Sequence, residues 1–88
     1  MDNWSVYIVE CSDGSLYTGI SNNVVKRVQA HNTKKGAASL KGKLPVKLVY
    51  QEFLESKSLA LKREFAIKKL TRREKLKLIS SIPIEIPS

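Results

Sequence analysis

Arg27 and His31 stand four residues apart in a stretch with helical periodicity, which stacks them on one face of a helix. An arginine so placed could clamp a phosphate through two parallel hydrogen bonds, while the histidine shares or moves a proton near neutral pH. A solvated basic helix face also explains the pair adequately, and His31, the only histidine, belongs to a residue type more often found packed or at the surface than in catalysis. Glu64 poses a similar question in a later helical stretch, where its neighbours at three and four positions are Ala60, Leu61 and Ile67. A carboxylate beside an apolar stripe needs a partner. Lys68, four residues on, offers an ordinary surface pair. A divalent metal offers a sharper one, because Mg²⁺ commonly takes one or two protein carboxylates and fills its shell with waters and substrate phosphate. Taken alone, Glu64 favours the lysine.

Where such chemistry would sit depends on a hairpin. Val6 to Cys11 and Ser15 to Ile20 read as strands joined by the turn signal Ser12-Asp13-Gly14-Ser15, with Tyr7 and Tyr17 ten residues apart on the two arms. A two-residue loop of Asp13 and Gly14 would put Tyr17 on the face of Val6 and Ile8, and Tyr7 on the other, since a slip of one residue inverts a face. A three-residue loop, with Gly14 left-handed as a G1 bulge, pairs Cys11 with Ser15 and sorts the residues cleanly. Val6, Ile8, Leu16 and Ile20 then share one face; Tyr7, Val9, Tyr17 and Gly19 share the other. Tyr7 lies across from Gly19, whose missing side chain leaves space beside the phenol, and the tyrosines become diagonal neighbours roughly 7–8 Å apart at the backbone.

The remaining elements follow in order. Ser21-Asn22-Asn23 supplies capping residues for a helix with Val24, Val25 and Val28 as its stripe, running to about Lys34 and ended by Gly36. Lys34 to Pro45 reads as a mobile basic loop whose Lys34, Lys35, Lys41 and Lys43 suit phosphate contacts. Val46 to Phe53 is apolar on both parities, as expected of a third strand covered on both faces or placed centrally. From Ser56 or Ser58 a helical pattern runs through Leu59, Leu61, Phe65, Ile67 and Leu70. Thr71-Arg72-Arg73-Glu74 matches a capping box, which predicts a break near Leu70 and a last helix to about Ser80. Two prolines keep the tail from Ile82 to Ser88 out of any helix.

An 88-residue chain is one domain, at a size where folding buries about 60–65% of the extended surface. Residues 1–80 form that domain and 81–88 a C-terminal tail. No apolar run approaches the roughly 18–20 residues a spanning helix needs, and Met1-Asp2-Asn3 is no secretory start, so a cytoplasmic protein without a membrane partner is expected. The single cysteine, Cys11, reads as a strand residue in a reducing compartment. Sixteen Lys and Arg against eight Asp and Glu give a net charge of +8, which makes polyanions the expected partners, although basic surfaces also serve plain solubility.

Taken in order, Ser5-Val6-Tyr7, Tyr17-Thr18-Gly19, Arg27, His31 and Glu64 resemble the GIY-YIG nuclease domain in its small single-domain bacterial branch, over about Trp4 to Ser80. The resemblance implies an α/β (α+β) fold: a small three-stranded mixed or antiparallel sheet with an N-terminal hairpin, flanked by about three helices. It also implies an endonuclease cutting phosphodiesters with one divalent metal, Mg²⁺ or Mn²⁺, held by Glu64. Tyr7 then corresponds to the tyrosine near the attacking water and Tyr17 to one at the scissile phosphate or assisting proton transfer. Gly19 keeps the site open, Arg27 stabilises the phosphate, and His31 assists from the same helix. Arg27, Lys34, Lys35, Lys41 and Lys43 would bind nucleic acid. The chain has no asparagine after Glu64, where many members of that family carry one near the site. DNA is the expected substrate, cut with little sequence preference in repair or recombination by a monomer that a protein partner could target. The alternative is an inert or weakly catalytic nucleic-acid-binding module of the same fold.

Overall fold

The computed structural model describes residues 3–33 and 42–81. Its elements are β1 (Trp4–Glu10), β2 (Leu16–Ser21), α1 (Val24–Asn32), β3 (Lys47–Leu54), α2 (Lys57–Lys68) and α3 (Arg72–Ser81). The strands form one antiparallel sheet in the order β2-β1-β3, the α+β architecture expected. α1 ends at Asn32 with Thr33 as its C-cap, short of the end expected near Lys34 and Gly36. The basic residues Lys34, Lys35 and Lys41, and the tail from Ile82, lie outside the described residues.

The hairpin takes the three-residue loop. Cys11 N–H donates to the Ser15 carbonyl at 2.8 Å, Gly14 N–H donates to the Cys11 carbonyl at 2.9 Å, and Gly14 has φ of 84°, a backbone state that glycine adopts without penalty. Asp13 secures the turn by accepting from the Ser15 N–H at 3.0 Å and the Ser15 hydroxyl at 2.6 Å. The resulting register pairs Tyr7 with Gly19 and Val9 with Tyr17.

β1 is the central strand, and Val6, Tyr7, Ile8 and Val9 are all buried. On one face Tyr7, Val9 and Cys11 pack with Val24 of α1 and with Val46, joined by Tyr17, Val28 and Leu48. On the other, Val6 and Ile8 pack with Tyr50 and with Ile67 of α2, joined by Leu78 and Ile79 of α3. Helices on both faces of an antiparallel sheet explain why β1 reads as a continuous apolar run.

Two expectations are corrected. β3 is an edge strand, not a central one, although it is covered on both faces, as the other expectation held, with Leu48 on the Tyr7 side and Tyr50 on the Val6–Ile8 side; in addition the pairing with β1 shifts by one between Ile8 and Val9. Ile8 faces Tyr50 while Val9 faces Leu48, so Val49 is the extra residue of a β-bulge and joins the Val6–Ile8 side. The buried stripe of α2 is Ala60 and Ile67, not the run through Leu59, Leu61 and Phe65, which are exposed. Ala60, Glu64 and Ile67 share one helical face, and the small Ala60 lets α2 approach the sheet closely. The rotation is also held by Arg63, whose Nε donates to Glu52 on β3 at 3.0 Å, while Glu52 accepts from the Tyr50 hydroxyl at 2.6 Å.

The helix starts follow local chemistry. Asn23 accepts from Lys26 N–H at 3.1 Å and Ser56 from Leu59 N–H at 3.2 Å. The Thr71–Glu74 capping box is reciprocal, with bonds of 3.0 and 3.2 Å. No helix among the described residues is long and apolar enough to cross a membrane.

Candidate active site

The hairpin register brings Tyr7 and Tyr17 to one face, and α1 lays His31 against both. The Tyr7 hydroxyl lies 2.9 Å from His31 Nε2, across 24 residues of sequence, and both side chains are about 1% exposed. The Tyr17 ring meets the histidine edge-on, with centroids 5.6 Å apart and planes at 72°; the Tyr7 ring is tilted at 45° with centroids 6.2 Å apart. Three rings thus form one buried cluster, of which Tyr17 is the half-exposed member.

Gly19 makes this arrangement possible by close approach. A Cβ there would lie 2.7 Å from the Tyr7 hydroxyl oxygen, 2.9 Å from its Cζ and 3.2 Å from Cε1 of Tyr17. The space left by the missing side chain is therefore filled by the Tyr7 phenol itself.

Burial pushes the Tyr7 hydroxyl above the usual tyrosine range, because a phenolate there would lose its hydration. The nearby Arg27 guanidinium works against that shift, whereas Tyr17 and the Glu64 carboxylate reinforce it. His31 is displaced the other way: burial, and then the Arg27 charge, hold its pKa below the ordinary value and keep the ring neutral near pH 7. A neutral ring accepts at one nitrogen and donates at the other, so Nε2 accepts a hydrogen bond from the Tyr7 hydroxyl when the ring proton is on Nδ1.

Arg27 is exposed and acts on the Tyr7 hydroxyl from the first turns of α1. Glu64 comes from α2, which packs against β1 and β2, and its charge reaches Tyr7. Its side chain is only 19% exposed and pairs with Lys68 Nζ at 3.5 Å, the surface partner foreseen from the spacing. The structure therefore gathers Tyr7, Tyr17, Gly19, Arg27 and His31, with Glu64 in electrostatic range. Lys43 lies elsewhere. Its carbonyl accepts from Ser12 N–H at 2.9 Å and its ammonium is 3.9 Å from Asp13. That puts it at the hairpin tip, roughly 17 Å along the strand from Tyr7 at about 3.4 Å per residue.

Among the described residues, no three His, Cys, Asp or Glu side chains gather into a metal-binding group. The donor set at the cluster is the single carboxylate of Glu64. That set fits a Mg²⁺-type ion completed by waters and a phosphate oxygen, and does not fit an all-protein cage such as Ca²⁺ or structural Zn²⁺ requires.

Other residues contribute that spacing did not reveal. Asn32, the last residue of α1, clamps the backbone of Val46: its Oδ1 accepts from Val46 N–H at 2.7 Å and its Nδ2 donates to Val46 O at 3.1 Å. This ties the helix bearing His31 to the chain entering β3. Beside Arg27, a groove of about 380 Å³ is lined by Trp4, Ile20, Ser21, Asn22, Arg27 and Lys57. A second, of about 270 Å³, is lined by Ser21, Asn22, Asn23, Lys26, Arg27 and Ala30. A tryptophan at the start of one strand and a lysine opening a distant helix give no sequence signal that they meet.

A family model described as the GIY-YIG catalytic domain matches residues 3–77. A UPF0213 protein of Clostridium perfringens is 58% identical over 80 residues, covering 91% of this chain and 86% of that one. A UPF0213 protein of Staphylococcus aureus strain N315 is 58% identical over 79 residues, covering 90% and 96%. The solution NMR structure of a UPF0213 protein from Bacillus halodurans is 40% identical, with a TM-score of 0.61 over 94% of this chain and 88% of that one.

Proposed function

The chain belongs to the GIY-YIG catalytic domain family, and from that premise we propose that it is a metal-dependent endonuclease hydrolysing phosphodiesters in DNA with little sequence preference. The observation that carries this reading is the hydrogen bond between Tyr7 and His31, held beside Arg27. Hydrolysis requires a water to lose a proton as it attacks phosphorus, and a phenol of raised pKa is poorly suited to wait as a phenolate. A relay removes the difficulty. The Tyr7 oxygen accepts the water proton while its own proton moves to His31 Nε2, so no free phenolate forms. Arg27 neutralises charge on the non-bridging oxygens, and the half-exposed Tyr17 lies on the same face to contact the phosphate. A divalent cation bound at Glu64 would supply further neutralisation of the phosphoryl oxygens. The net charge of +8 supplies sequence-independent attraction to the backbone. The reading takes residues 1–80 as one nuclease domain acting as a cytoplasmic monomer, with 81–88 as a tail and any targeting supplied by a protein partner.

A second reading has its own support. Tyr7 is about 1% exposed and Glu64 is already paired with Lys68, which suits a nucleic-acid-binding module that retains the fold without turnover. End-labelled single-stranded, duplex and branched DNA incubated at low salt with Mg²⁺, Mn²⁺ or EDTA separates the two. Endonuclease action predicts cleavage that needs metal and disappears in Glu64→Ala while DNA binding persists. Salt-sensitive binding with no cleavage in any condition favours the module.

A further inference from the structure

The groove on the Trp4 side of Arg27 has the features of a substrate subsite. Lys57 Nζ sits over the Trp4 ring, 5.2 Å from its centroid, close enough for the ring's electron-rich face to attract and orient the ammonium. The position of Lys57 is electrostatically awkward: it is the first residue of α2, where the exposed amides carry partial positive charge, and that first turn contains no acidic residue. Among the described residues, neither Lys57 nor Arg27 forms an ion pair with a carboxylate, and no Asp or Glu lines the groove. Two cations thus converge on an open groove that an anion would relieve. Its volume of about 380 Å³ is near the lower end of small-ligand clefts, roughly 300–1,000 Å³, a size that suits one nucleotide unit. Arg27 also lines the neighbouring groove with Lys26, so the two grooves share the arginine assigned to the reacting phosphate.

We propose that the groove of Trp4, Ile20, Asn22, Arg27 and Lys57 binds the nucleotide adjoining the scissile phosphate, with Lys57 contacting its phosphate and Trp4 positioning Lys57. The identity of the occupant rests on the endonuclease reading; the groove's affinity for a phosphodiester does not require turnover. Trp4 is the only tryptophan, so its fluorescence reports this groove alone.

The test uses the full chain in EDTA, titrated with unlabelled 12-nucleotide single-stranded and duplex DNA. The same DNA, fluorescein-labelled, gives affinity by anisotropy across a salt series. Trp4 emission should change with the same midpoint as the anisotropy. Lys57→Gln should lower the dependence of log K on log salt by about one, which at ~50 mM salt is roughly a tenfold loss of affinity. Trp4→Leu should reproduce that loss and Trp4→Phe should largely restore binding, whereas Lys47→Gln, at the opposite end of the sheet beside Glu10, should bind as the parent does. An unmoved Trp4 signal at saturation, or a Lys57→Gln salt slope equal to the parent's, overturns the subsite. If cleavage by the parent is intact when that happens, the endonuclease reading survives. A Lys57-dependent slope in a protein that never cleaves supports the subsite and removes the endonuclease. Absence of any DNA binding removes both.

Discussion

Gly19→Ala tests the geometry of the cluster without reference to activity. An added Cβ would stand 2.7 Å from the Tyr7 oxygen and 2.9 Å from its Cζ, well inside contact distance. The phenol is the far end of a side chain, but it cannot swing freely because it is about 1% exposed and bonded to His31. Overpacking of this kind costs about 1–3 kcal/mol. Breaking the Tyr7–His31 bond would add about 0.5–1.5 kcal/mol. Replacing a glycine within a strand recovers about 0.5–1 kcal/mol. The balance is a loss of about 0.5–4 kcal/mol, centred near ~2 kcal/mol, which at the centre is a fall in Tm of roughly 8–16 °C for a domain of this size. Urea melts of four proteins check it: parent, Gly19→Ala, Tyr7→Leu and the double variant. With the phenol removed, Gly19→Ala should become neutral or stabilising, giving a coupling of about 1 kcal/mol or more. A Gly19→Ala protein as stable as the parent, or an equal cost in both backgrounds, would refute the close approach.

Two further outcomes concern buried polar groups. Burial holds the folded-state pKa of His31 below the unfolded value of about 6.5, so the unfolded chain binds the extra proton first. Its contribution is intact above about pH 6.5 and lost as pH falls through the folded-state pKa. The parent's Tm should therefore drop between pH 7 and 5, and His31→Gln should flatten that slope; a parent Tm constant over the range would contradict the buried neutral ring. Thr18 is 3% exposed and its Oγ1 has no hydrogen-bond partner among the described residues. Thr18→Val keeps the shape and removes the stranded hydroxyl, so it should stabilise by about 1 kcal/mol, and a lower melting point for that variant would mean the oxygen is satisfied.

Several features were legible from local chemistry alone. The Ser12-Asp13-Gly14 loop set the hairpin register, because only one loop length sorts the apolar residues and offers Gly14 its positive φ. Asn23, Ser56 and the Thr71–Glu74 box marked helix starts, because a cap reaches amides only two or three residues away. The spacing of Tyr7, Tyr17, Arg27, His31 and Glu64 along the chain is sufficient to suggest a family. Harder to read was the outward face of α2, since Leu61 and Phe65 look like core residues until Ala60 is seen against the sheet.

What the amino-acid sequence determined by itself is what depends on neighbours along the chain: the turn, the caps, the helical facing of Arg27 and His31, and the charge. Tertiary structure alone decided whether His31 would be solvated or buried against Tyr7, that Tyr7 would fill the space above Gly19, and that β3 would take an edge with Val49 bulged. It also joined Lys57 to Trp4, and Arg63 to Glu52 and Tyr50. Each of these pairings, except Tyr50 with Glu52 two residues away, links residues distant along the chain. Such contacts depend on how the helices lie across the sheet, a geometry selected by the packing of both faces at once.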